Sequence, residues 1–162
     1  HIVKKNSIPD SSTLTTFCKT YDYCDSFGTH YFKNEKIEVI AQKLFATPTW
    51  VDGLIKIRDF IVKPFGLLTS KTIQSTYIKN TEQLSVPLPF TVVEKTENEI
   101  VMCERDIHLN FWVSVMNAEN MVYLTTVVEF NNIWGKIYFT IIKPFHKIII
   151  RKSLKNGIAS KH

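Results

Sequence analysis

The sequence predicts one α+β domain, an antiparallel sheet with a long helix running across it. Three patterns carry that expectation. Aromatic residues fall on one parity at Tyr21, Tyr23, Phe27 and Tyr31, the mark of a half-buried strand. Four strand-like runs separated by polar turns follow one another between Phe90 and Phe130. The stretch from Asn131 or Asn132 to about Lys155 keeps helical spacing throughout.

The elements are expected in this order. Residues 1–16 are Ser- and Thr-rich with Pro9 and read as an extended lead-in. The first strand lies between Lys19 and Phe32, with Gly28 marking a bulge or bend. Asn34 is placed to cap a helix whose apolar stripe is Ile37, Ile40, Ala41, Leu44 and Phe45. Thr47-Pro48 opens a second helix with Trp50, Leu54, Ile57 and Ile61 inward, ended by Lys63-Pro64 and Gly66. Residues 67–86 read as a long loop with a short strand near 72–78. The meander then runs Phe90–Lys95, Glu99–Arg105, Ile107–Met116 and Met121–Phe130, with turns at Glu97-Asn98 and Asn117-Ala118-Glu119-Asn120. In the last helix Lys136, Thr140, Lys143, Lys147 and Arg151 form the expected outer stripe. Ile133, Ile137, Ile141, Phe145 and Ile148 form the expected inner face. Pro144 should kink it, and Asn156-Gly157 should stop it, leaving 156–162 as a tail. No internal repeat or second domain is visible, so 1–162 is taken as one domain.

Composition bounds the function. At 162 residues the chain can bury enough surface to fold without a disulfide or metal. Its eleven Phe imply a large core or an aromatic-lined pocket. The net charge of +5 gathers at Lys136, Lys143, Lys147, Arg151, Lys152, Lys155 and Lys161. No block of five like charges and no RNA-binding sheet motif occurs, so no nucleic-acid partner is expected. Cys18, Cys24 and Cys103 have no paired spacing and read as free thiols in a reducing compartment. The first residues, His1 onward, carry no hydrophobic signal core, which points to a cytoplasmic protein. No apolar run approaches the ~18 residues of a membrane span.

The element order resembles the helix-grip fold of the START-like (SRPBCC) superfamily, which includes birch-pollen-allergen-type proteins and polyketide cyclases. Several local motifs resemble, more closely, an uncharacterised bacterial family of unknown function, of the DUF2867 type. They are Tyr23-Cys24-Asp25-Ser26-Phe27, Pro48-Thr49-Trp50-Val51, Leu54 with Arg58, and Phe65-Gly66-Leu67. Asp106-Ile107-His108-Leu109-Asn110-Phe111, Gly135-Lys136-Ile137-Tyr138-Phe139 and Pro144-Phe145-His146 continue the likeness, from about Tyr21 to Arg151. In that family the His-Leu pair is followed by Asp, Phe and a basic residue, and Asn110 and Trp112 depart from it here. Members also resemble tails found behind short-chain-dehydrogenase-like domains. This chain has no Gly-rich nucleotide-binding turn, so that activity is not expected of it. The superfamily resemblance implies an apolar cavity between sheet and last helix; the family resemblance implies no activity.

Asp106 and His108, two apart on one strand, could pair a carboxylate with a general base. Ile107, Leu109, Phe111, Val113 and Val115 look like the core side, which puts that pair on the outer face. His146, between cations, reads as a helix-surface residue. Arg58 could pair with Asp25 or anchor an acidic head group. No metal-ligand spacing occurs, and neither a metal nor another cofactor is expected.

Three functions follow. The first is non-catalytic binding of a small apolar or amphipathic molecule in a cavity lined by Tyr23, Phe27, Phe45, Trp50, Leu54, Arg58, Phe111, Trp134, Tyr138, Ile141 and Phe145. The second is a cyclase- or hydrolase-type enzyme using His108 and Asp106. The third is surface association, as a homodimer or on an enzyme partner, motivated by Trp112 on the outer face. Membrane contact by the basic stripe is not expected, because stable anchoring takes two signals.

Overall fold

A computed structural model describes residues 1–45, 90–105 and 107–159. The elements are β1 (Ile2–Lys5), α1 (Leu14–Phe17), β2 (Tyr23–His30), α2 (Ile37–Phe45), β3 (Thr91–Lys95), β4 (Glu99–Arg105), β5 (Leu109–Ala118), β6 (Met121–Phe130) and α3 (Ile133–Leu154). A π-helical turn, Lys155–Ala159, continues α3. The strands form one antiparallel sheet in the order β1-β2-β6-β5-β4-β3. The expected second helix, the loop over 67–86, and Trp50, Leu54, Arg58 and Asp106 lie outside the described residues.

Local chemistry sets the turns. Glu119 and Asn120 have φ of 54° and 61°, and the last ladder pair is Ala118 with Met121. Two consecutive positive φ angles form the tight turn whose twist matches a hairpin. In the β3–β4 turn the Thr96 hydroxyl accepts from the Asn98 and Glu99 amides. Gly28 makes no bulge, because β2 and β6 pair unbroken from Tyr23–Val128 to His30–Met121. It is small for the sake of Tyr123, whose ring would lie 2.8 Å from a Cβ at that position. The irregularity falls instead between Val92 and Glu94 in β3. The third meander strand starts at Leu109 and not Ile107, which is exposed.

One sheet face carries the main core. Phe27, Ile100, Met102, Val113, Val115, Val122 and Leu124 meet the α2 stripe of Ile37, Ile40, Ala41, Leu44 and Phe45. Ile150, Leu154 and Ile158 close it from α3 and the π turn. The first helical acceptor of α2 is the Lys36 carbonyl, bonded by Ile40 N at 3.2 Å, so Lys36 and not Asn34 stands at the cap position. Lys43 on α2 pairs with Glu35 and donates to Tyr31 Oη, tying the helix to the end of β2.

The other face is covered as well, which the sequence reading did not anticipate. The expected lead-in contains β1, hydrogen-bonded to β2, and then crosses the sheet as an arm carrying α1. Leu14 and Cys18 of the arm bury Cys24, Val101, Cys103, Trp112 and Val127. Trp112 is only 6 % exposed, so it offers no surface for association. The arm is fastened by a buried carboxylate. Glu99 accepts from Ser12 Oγ at 2.5 Å, from Thr13 N and Oγ1 at 2.7 Å each, and from Ser114 Oγ at 2.5 Å. Four donors replace the water that the carboxylate gave up, which is what makes its burial tolerable.

The three cysteines are free, as expected, and all are buried under this arm. Burial, reinforced by neighbouring anionic groups, pushes the Cys18 thiol up to about 12 and the Cys24 thiol to about 11; burial also raises Cys103. A thiolate is the reactive species, so none should be available near neutrality. Native protein at pH 8 is expected to leave an aromatic disulfide reagent unreacted for hours, and three thiols should titrate once urea unfolds it. Fast native labelling would contradict the coverage.

The rotation of α3 is the largest departure from expectation. Its buried residues are Gly135, Phe139, Ile142, Ile150, Ser153 and Leu154. The residues expected inward point to solvent: Ile133 is 61 % exposed, Ile137 46 %, Ile141 49 %, Phe145 49 % and Ile148 61 %. Two glycines explain the rotation. A Cβ on Gly135 would stand 2.0 Å from the His108 carbonyl oxygen, and one on Gly157 2.6 Å from the Lys43 carbonyl oxygen. Only the glycine side of the helix can approach the backbone so closely, and Phe139, Ile142 and His146 follow from Gly135 by helical spacing. Asn132 caps α3, its side chain accepting from Gly135 N at 3.1 Å. Gly157 does not stop the helix; it lies within the π turn.

Candidate functional site

The site is assembled from the start of β2 and the middle of α3. Strand alternation puts Tyr23, Asp25 and Phe27 on the helix side of β2, where Asp25 faces Thr126 of β6. Phe139 of α3 packs on Tyr23 with ring centroids 4.7 Å apart and on Phe130 at 5.9 Å. Two turns further along α3, His146 reaches Asp25: its Nε2 lies 3.3 Å from Oδ2 and 3.4 Å from Oδ1. Tyr23 Oη donates to Asp25 Oδ2 at 2.6 Å. Asp25 is fully buried, and this polar seam is its compensation. Thr126 Oγ1, beside it across the ladder, is buried and has no hydrogen-bond partner among the described residues.

A pocket of about 390 Å³ opens next to this seam. Lys4, Asn6, Tyr21, Asp22, Tyr23, Cys24, Lys143 and Lys147 line it. The Lys143 ammonium sits 4.9 Å from the centroid of the Tyr23 ring, a favourable cation–π position. Asp22, the one carboxylate of the lining, already accepts from Phe130 N at 2.6 Å. Among the described lining residues three lysines thus stand against one engaged carboxylate, a setting for an anion. Burial first, and the hydrogen bond to Asp25 second, raise the Tyr23 phenol far above its ordinary value; Cys24 is pushed up by burial as already described.

Of the residues expected to line a cavity, Tyr23 lines this pocket. Phe27 is fully buried and fills the core, and Phe45 does the same from α2. Phe111 packs edge-on against Phe90 at 5.0 Å, and Tyr138 joins Leu109, Val128 and Phe139. Trp134, Ile141 and Phe145 are exposed on α3 and are not among the residues lining this pocket. Their correction follows from the Gly135 contact. His108 lies at the base of the α3 cap, its Nδ1 3.2 Å from Asn132 Oδ1, and its carbonyl accepts from Asn131 N at 2.9 Å. It is not among the residues lining the pocket. Reasoning from sequence missed Lys4, Lys143, Lys147 and the buried role of His146. For the three on α3, the signal that would have found them is Gly135 read as a close-approach residue, which fixes the helix face. Among the described residues no cluster of three His, Cys, Asp or Glu could hold a metal.

The motifs Tyr23-Cys24-Asp25 and Pro144-Phe145-His146, far apart in the chain, thus meet in one contact. A family model described as "Protein of unknown function (DUF2867)" matches residues 17–153, a span that contains both. No curated protein matches the chain. No solved structure matches it.

Proposed function

The chain belongs to the DUF2867 family, and on that premise, which brings no activity with it, we propose that the protein binds a small amphipathic anion without transforming it. One observation carries the reading: a pocket lined by Lys4, Lys143 and Lys147 together with Tyr21 and Tyr23. The lysines suit a carboxylate, sulfonate or phosphate head, and the aromatic residues suit an apolar body. We read the architecture as a helix grip, with the strand order bringing β2 beside β6 under the C-terminal helix. In this reading the ligand sits at the edge of the grip, between the first strands and α3. The space directly beneath α3 is occupied by Phe139, Ile150 and Leu154. Binding is favoured over catalysis because Tyr23 and Cys24 are both driven away from their reactive forms.

An anilinonaphthalene sulfonate titration tests the proposal. Saturable fluorescence enhancement with one site per chain is expected. Substituting Lys143→Glu and Lys147→Glu together should weaken it roughly tenfold or more, the scale of one lost charge-assisted hydrogen bond. Unchanged affinity in the double variant, with unfolding behaviour intact, would remove the pocket from consideration.

A further inference from the structure

We propose that the outward face of α3 docks on an anionic lipid surface, lying in the plane of the membrane. Ile133, Ile137, Ile141, Phe145 and Ile148 are all exposed along it, at offsets i, i+4, i+8, i+12 and i+15. That spacing makes one continuous apolar ridge of roughly 22 Å at the usual helical rise. Isolated exposed apolar residues need no explanation, but five large ones in register do.

The charge pattern identifies the occupant. No Asp or Glu occurs after Glu129, whereas Lys136, Lys143, Lys147, Arg151, Lys152, Lys155 and Lys161 do. Lys136, exposed, borders one edge of the ridge. Beyond Ile148 the same sector of the helix is taken over by Arg151, Lys152 and Lys155, all exposed. An apolar strip edged and ended by cations is the pattern of an interfacial helix on anionic lipid. A second copy is disfavoured, because two such faces would oppose cations with no carboxylate to answer them. No helix among the described residues is long and apolar enough to cross a membrane, so the contact is peripheral. This proposal does not rest on the pocket.

Co-sedimentation of the full chain with vesicles tests it. Vesicles of phosphatidylcholine with 30 % phosphatidylserine should pull the protein down at least tenfold more strongly than phosphatidylcholine alone, with the difference shrinking as salt is raised. Ile137→Asp with Ile141→Asp should abolish sedimentation. Lys152→Glu with Lys155→Glu should reduce it about tenfold and leave the ridge intact. All four positions are exposed and leave Lys143 and Lys147 untouched, so dye binding at the pocket should persist in both variants. Equal sedimentation with both vesicle types, or none with either, overturns the proposal. So does a dimer in solution that Ile137→Asp with Ile141→Asp dissociates in the absence of lipid.

Discussion

Gly135→Ala is expected to lower the stability of the protein by about 3 kcal/mol or more, beyond the ordinary range for an overpacked site. The added methyl would sit 2.0 Å from the His108 carbonyl oxygen, a backbone atom that cannot swing aside. Relief requires α3 to lift off the start of β5. That movement would disturb the Asn132 cap and the packing of Phe139 against Leu109 and Val128. The sign is diagnostic. Helix propensity alone makes alanine better than glycine by about 1 kcal/mol in a helix interior, so propensity and packing predict opposite outcomes. For a domain of this size a loss of 3 kcal/mol shifts the thermal midpoint by about 6–12 °C. Thermal and urea unfolding of the two proteins decide it, and an alanine variant as stable as the parent would refute the rotation assigned to α3.

Glu99→Ala is expected to detach the N-terminal arm before the sheet itself fails. The carboxylate is the common acceptor for Ser12, Thr13 and Ser114. Without it four donors lose their acceptor in a buried setting, a loss of about 3 kcal/mol or more by the usual cost of breaking such a network. The more telling readout is local. Cys18, Cys24 and Cys103 should become reactive towards the aromatic disulfide reagent at urea concentrations where the far-ultraviolet circular dichroism is still native. Glu99→Gln retains one oxygen acceptor and should fall between the two. If thiol exposure in the alanine variant follows global unfolding, the arm is an integral part of the cooperative unit and not a separately fastened one.

How much of this was legible depended on whether one period could be read without competition. The α2 stripe has a single apolar solution, and its five residues are the ones buried. Glu99–Arg105 and Met121–Phe130 are mostly apolar runs bounded by polar turns, and their limits agree with the structure. The last helix was different, because isoleucine and phenylalanine occur on nearly every side of it. Hydrophobicity then could not choose a face, and the choice fell to Gly135, a residue whose contribution is the absence of a side chain. Trp112 was misplaced for a related reason. Both faces of β5 are covered, so its outer residues Trp112, Ser114 and Met116 are buried like the inner ones. The arm that covers them is mostly Ser and Thr, with Ile8, Leu14 and Cys18 supplying its apolar contacts. The meeting of Asp25 with His146 spans 121 positions and has no local signature at all.

The pairing of β2 with β6 has a consequence for how the chain is made. The C-terminal strands can zip locally, since β5 and β6 are joined by two residues and β3 and β4 by a short turn. β2 emerges from the ribosome early, yet its ladder partner lies roughly a hundred residues downstream. At ordinary elongation rates of about 5–20 residues per second, β1 and β2 wait several seconds without β6, with Phe27 uncovered. Nascent-chain aggregation should therefore centre on this segment, and chaperone dependence should end once β6 has cleared the exit tunnel.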